Sequence, residues 1–111
     1  MEPAAATSRR WVDVAPADAV PPGGYRVFDV DDTPIAVFNV DGELFAIHDV
    51  CTHDGEVLTG GPVEGTEIVC PRHGARFSLR TGEVLAPPAY EPVRTYRIRI
   101  DNGRLWLEAQ T

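Results

Sequence analysis

Ten prolines and ten glycines punctuate this chain of 111 residues, with β-branched and aromatic residues filling the intervals between them. Proline cannot donate to a backbone ladder and glycine weakens any element it interrupts, so long helices are disfavoured and short strands joined by turns are favoured. In "TYRIRI", residues 95–100, Tyr96, Ile98 and Ile100 alternate with Arg97, Arg99 and, one step on, Asp101. That period of two predicts a strand with one face in the core and one in water. "DNG" at 101–103 tolerates positive φ and "RLWLEA" resumes the pattern, which predicts a hairpin. A second hairpin is predicted where "TPIAVFNV" and "ELFAIHDV" flank Asp41-Gly42, and "YRVFDV" before them completes a three-stranded meander. "APPAYEP", 86–92, cannot be a central strand and reads as a stiff surface loop. These elements predict an all-β sandwich or small barrel.

The length suffices for one compact core and is too short for two, so a single domain is expected over 10–111, preceded by a mobile tail at 1–9. A hydrophobic content of 43% and a charged content of 24% are those of an ordinary globular protein, and no apolar run approaches the ~20 residues of a membrane helix. The segment "MEPAAATSRRW" lacks the layout of a secretory signal, so the expected compartment is the cytoplasm, and a monomer is expected. In that reducing setting two cysteines point to metal or redox chemistry more than to a disulfide. The net charge of −7 argues against nucleic acid or an anionic membrane as partner and favours a basic protein surface.

Between about residues 49 and 82 the texture changes, with Gly55, Gly60, Gly61, Gly65, Gly74 and Gly82 in one stretch that reads as a small insertion on the β scaffold. Both cysteines lie in it, each with a histidine nearby: Cys51-x-His53 and, after sixteen intervening residues, Cys70-x-x-His73. Two thiolates and two imidazoles can close a tetrahedral zinc site or hold a two-iron cluster. Zinc sites of that composition usually pair cysteine with cysteine and histidine with histidine, whereas each loop here carries one of each. A cluster with one sulfur-ligated and one histidine-ligated iron therefore fits better, with zinc or a Cys51–Cys70 disulfide as the competing readings.

Cys51-Thr52-His53 and Cys70-Pro71-x-His73-Gly74 resemble the two cluster-binding loops of Rieske [2Fe–2S] proteins, and the similarity extends to "RFSLRTGEV" and the proline loop at 86–92. The resemblance implies a Rieske-like β sandwich with a small cluster-binding subdomain. It also implies one [2Fe–2S] cluster per chain, with Cys51 and Cys70 on the inner iron and His53 and His73 on the outer one. Neutral imidazole in place of thiolate makes the outer iron easier to reduce, and Rieske potentials span about −150 to +300 mV. In the respiratory branch each loop carries a further cysteine and the pair forms a disulfide; the matching positions here are Glu56 and Arg72, which could form an ion pair or stand as two solvated charges. A serine that donates to a bridging sulfide there is matched by Ala75. A potential toward the lower end of the range is therefore expected.

This pattern is similar to the small soluble ferredoxins of bacterial multicomponent oxygenases. The implied role is a one-electron carrier, with no catalytic site of its own, between a flavin-containing reductase and a terminal non-heme iron oxygenase. A mononuclear iron site built from two histidines and a carboxylate cannot be assembled here, because only His48 is left once His53 and His73 are committed. His48 alternates with Leu44 and Ala46 and reads as a core or subdomain-edge residue. Arg72, Arg76 and Arg80 could form a docking patch or a solvated face. Two alternatives stay open: a small subunit of an assimilatory nitrite reductase, and an accessory module in iron–sulfur metabolism.

Overall fold

The computed structural model describes residues 9–52 and 54–110. The expected tail lies outside these residues except at Arg9, which already pairs with Gln110 in the first strand. Three antiparallel sheets make up the structure. The central one is built on the predicted meander, β2 (Tyr25–Val30), β3 (Thr33–Val40) and β4 (Glu43–His48), closed at its far edge by β9 (Thr95–Tyr96). Two-residue turns set its register, pairing Val30 with Thr33 and Val40 with Glu43. Their central residues all have positive φ, Asp31 at 53° and Asp32 at 66°, Asp41 at 54° and Gly42 at 93°. This is the hairpin geometry whose twist matches that of the flanking strands.

The run Ile35-Ala36-Val37-Phe38 in β3 is buried at every position, as expected of a strand covered on both faces. Ile35 and Val37 point into one apolar cluster with Ala46, Leu105, Leu107 and Ala109. Ala36 and Phe38 point into the other, with Phe45, Ile47, Cys51 and Cys70. The first cluster is covered by the sheet of β1 (Arg9–Pro16), β11 (Arg104–Gln110) and β10 (Ile98–Asp101). "TYRIRI" does not form one strand. It divides at Arg97, so that Tyr96 pairs with Ala46 in the central sheet while Ile98 pairs with Leu107 in the next. Ile100, expected in the core, is 50% exposed, on a strand that forms the edge of its sheet.

The second cluster is covered by a smaller sheet of β5 (Val63–Glu64), β6 (Glu67–Val69), β7 (Arg76–Ser78) and β8 (Val84–Ala86), in that order. Phe77 and Leu79 are buried in that cluster while Arg76 and Arg80 face outward, as alternation predicts. The sheet holds both loops that carry the Cys/His pairs against the central layer. Among the described residues no helix is long and apolar enough to cross a membrane.

Candidate metal centre

The two cysteine loops have the same backbone closure. In the first, the Cys51 N–H donates to the Glu56 carbonyl at 2.7 Å and the Gly55 N–H donates to the Cys51 carbonyl at 2.7 Å. In the second, the Cys70 N–H donates to the Ala75 carbonyl at 2.7 Å and the Gly74 N–H to the Cys70 carbonyl at 3.1 Å. The glycine stands four residues after the cysteine in both loops, with φ of 77° and 81°, where a side chain would be strained. The histidines differ in offset, two residues after Cys51 but three after Cys70. Matching frames thus carry histidine at different positions in the sequence of each loop.

Both sulfurs are buried, Cys51 at 0% and Cys70 at 1% exposure, in the same apolar cluster. His73 is at the surface, its side chain 56% exposed, with Nδ1 3.8 Å from Asp54 Oδ2. His53 lies outside the described residues. The donor set fits a cluster with a buried, sulfur-held side and an exposed, nitrogen-held side: two soft thiols lie under the loops and an imidazole stands at the rim. The 87–92 segment seats Ala89 in the cluster that contains both cysteines, and the Thr52 hydroxyl donates to the Glu91 carbonyl at 2.6 Å. The proline-rich loop is therefore tied to the first cysteine loop and packs over the sulfurs' apolar surroundings.

Arg72, read from the sequence either as a partner of Glu56 or as a solvated charge, pairs with Asp54. Arg72 Nε donates to Asp54 Oδ2 at 3.0 Å, and Nη2 donates to the Val57 carbonyl at 3.0 Å and to Cys70 Sγ at 3.6 Å. The Glu56 carbonyl is instead taken up by Cys51, and the Asp54 side chain also accepts from the Glu56 N–H. The hydrogen bond to Asp54 is the main reason the Arg72 guanidinium is held above its ordinary pKa. Arg76 pairs with Glu64 and Glu67, and Arg80 with Glu43. This charge balance favours the solvated face over a free basic patch. Exposed pairs of this kind contribute little stability.

His48 sits on the β4 face shared with Ala46, opposite the face that meets the cysteines. Burial lowers its pKa, the nearby Arg94 lowers it further, and Asp49 partly offsets both. Sequence reasoning missed Asp49, a 4%-exposed carboxylate two residues before Cys51 that gathers the backbone of Leu58 and Thr59. An acidic residue directly after an apolar strand was the available signal, but only the fold reveals which donors converge on it.

Over residues 10–97 the chain matches the Rieske [2Fe-2S] domain family. It is 35% identical, over 93% of its length and 99% of the relative's, to the ferredoxin component of the naphthalene 1,2-dioxygenase/salicylate 5-hydroxylase systems of Ralstonia sp.. It is 44% identical, over 76% of its length and 78% of the relative's, to the biphenyl dioxygenase ferredoxin subunit of Pseudomonas sp. strain KKS102. A solved complex of reduced oxygenase and oxidized ferredoxin in carbazole 1,9a-dioxygenase contains a similar chain, at 29% identity and a TM-score of 0.82, over 91% of this chain and 94% of that one. A putative nitrite reductase small subunit shares the fold alone, at 19% identity and a TM-score of 0.72, over 88% of this chain and 97% of that one. With the all-β sandwich, the matched loops and these relatives together, the chain belongs to the Rieske [2Fe–2S] family.

Proposed function

We propose that Cys51 and Cys70 hold one iron of the cluster and His53 and His73 the other, one cluster to a chain. We further propose that the protein is a one-electron carrier without a catalytic site, taking electrons from a flavin-containing reductase and giving them to a terminal non-heme iron oxygenase acting on aromatic rings. The observation that carries this reading is the placement of two buried thiols in loops of equal closure beside an imidazole exposed at the rim. When bound, the cluster supplies a one-electron couple. The chain's own residues do the rest. The thiols and the apolar cluster around them keep water from the inner side, and His73 offers an edge that a partner can approach.

The named systems of the relatives support an oxygenase and a reductase as partners, and the carbazole dioxygenase complex supports direct docking of ferredoxin on oxygenase. A net charge of −7 suits brief, salt-sensitive encounters with basic surfaces. The same reading takes residues 10–111 as one Rieske domain with a cluster-binding subdomain at about 49–82, monomeric and cytoplasmic. The methyl group of Ala75 cannot donate to sulfur, which supports a potential in the lower part of the Rieske range. The nitrite reductase alternative rests on a likeness of fold, and no observation favours the accessory-module alternative.

The test is electron paramagnetic resonance of the reduced protein together with iron and sulfide analysis. Equal iron and labile sulfide with a Rieske-type signal is the expected result; zinc, or colourless protein, would sink the assignment. Rapid one-electron reduction by a flavoprotein, slowed by salt, separates the carrier from a subunit that co-purifies with a catalytic partner.

A further inference from the structure

The Arg72 side chain reaches both cysteine loops and a candidate ligand sulfur at once. From the second loop it spans to Asp54 through Nε at 3.0 Å and Nη2 at 3.5 Å, and to the Val57 carbonyl through Nη2 at 3.0 Å. On its own loop Nη2 lies 3.6 Å from Cys70 Sγ, a distance at which sulfur accepts a hydrogen bond. The side chains of Arg72 and Asp54 are only 32% and 21% exposed, so solvent screens this contact less than a fully exposed pair. The guanidinium is planar and always charged, so it can hold two loops in one geometry while keeping a fixed positive charge against the sulfur.

Resting on the ligand assignment proposed above, we infer that Arg72 is a positioning residue that latches the two loops and raises the reduction potential of the cluster through Cys70. Reduction adds one electron, breaks no bond, and makes the cluster one unit more negative. A fixed cation at a ligand sulfur stabilises that added charge, as does a hydrogen bond to the sulfur. In a redox titration the electron comes from dithionite through mediators.

The test compares the loaded wild type with R72Q and R72K at one pH. Poised at the wild-type midpoint, R72Q is expected to shift at least about threefold toward the oxidised form, where a tenfold shift corresponds to ~59 mV for one electron. The shift should shrink as ionic strength rises. R72K keeps the charge but not the fork, so its reduced-to-oxidised ratio should stay close to that of the wild type while a chelator bleaches its cluster faster. Equal ratios in loaded wild type and R72Q overturn the inference and leave the ligand assignment standing. If R72Q takes up no cluster, R72K decides: a fall in its ratio overturns the role of the charge, and wild-type bleaching overturns the latch. Wild-type protein without the Rieske signal overturns the ligand assignment first, and this inference with it.

Discussion

The Asp49 carboxylate accepts a hydrogen bond from the Thr59 hydroxyl at 2.9 Å through Oδ2, while its Oδ1 accepts from the N–H groups of Leu58 and Thr59, each at 2.9 Å. One side chain at the end of β4 thereby fixes the far end of the first cysteine loop, and Leu58 delivers its fully buried side chain to the cluster around the sulfurs. Removing the carboxylate strands donors that folding has taken from water. D49A is expected to cost about 3 kcal/mol in unfolding free energy. D49N keeps an oxygen for the two backbone donors and should cost only about 1 kcal/mol. Denaturant unfolding of both variants checks this, and equal losses in the two would show that the negative charge, not the placement of an acceptor oxygen, is what the site requires.

Two glycines in the same region separate steric from conformational demands. At Gly61 an added methyl would stand 1.9 Å from the Val69 carbonyl oxygen and 3.0 Å from Pro71 Cδ, backbone and ring atoms on either side of Cys70. G61A must therefore displace the second cysteine loop, with an expected cost of about 3 kcal/mol and a lowered cluster content. At Gly55, φ is +77° but nothing lies within 4 Å of an added Cβ, so G55A should cost only about 1 kcal/mol in backbone strain. Unfolding curves and iron content rank the two. A G55A variant more damaged than G61A would reverse the argument.

The sequence revealed these features unequally, for physical reasons. Asp41-Gly42 and Asn102-Gly103 announce their turns because residues that tolerate positive φ are few, and the ligand spacings stand out because metal chemistry admits few residue types. "TYRIRI" misled because alternation reports two faces but not which sheet each half joins, and the division at Arg97 is decided by pairing with Ala46 and Leu107 from distant strands. The partner of Arg72 was not legible for a similar reason. Glu56 was matched by its place in the loop, whereas the loop's closure engages the Glu56 backbone with Cys51 and puts Asp54 under the guanidinium.

The turn between β2 and β3 is built from Asp31 and Asp32, both in the left-handed region, and Asp31 also pairs with Arg10. Aspartate tolerates that conformation better than most residues, but glycine carries no Cβ penalty there. D32G creates the Asp-Gly sequence favoured in this turn and leaves the Arg10 contact in place. A gain of about 0.5 kcal/mol is expected, seen as a raised denaturation midpoint with an unchanged slope. A lower midpoint would mean that the Asp32 carboxylate has a role beyond the turn.

His48 provides the pH dependence whose sign can be worked out in advance. Its pKa in the folded protein is lowered from the ordinary 6.5, first by burial and then by Arg94, with Asp49 acting in the opposite direction. As pH falls, the unfolded chain takes up this proton before the folded one does. The contribution of neutral His48 is therefore complete above about pH 6.5, declines as pH drops below that value, and levels off beneath the lowered folded pKa. Comparing wild type with H48Q cancels the titration that the two proteins share. The difference in melting temperature should stay constant from about pH 8 to 7 and then move against the wild type on acidification. A difference that favours the wild type in acid would show that His48 meets a stabilising anion in the fold, and a flat one that folding leaves its affinity for the proton unchanged.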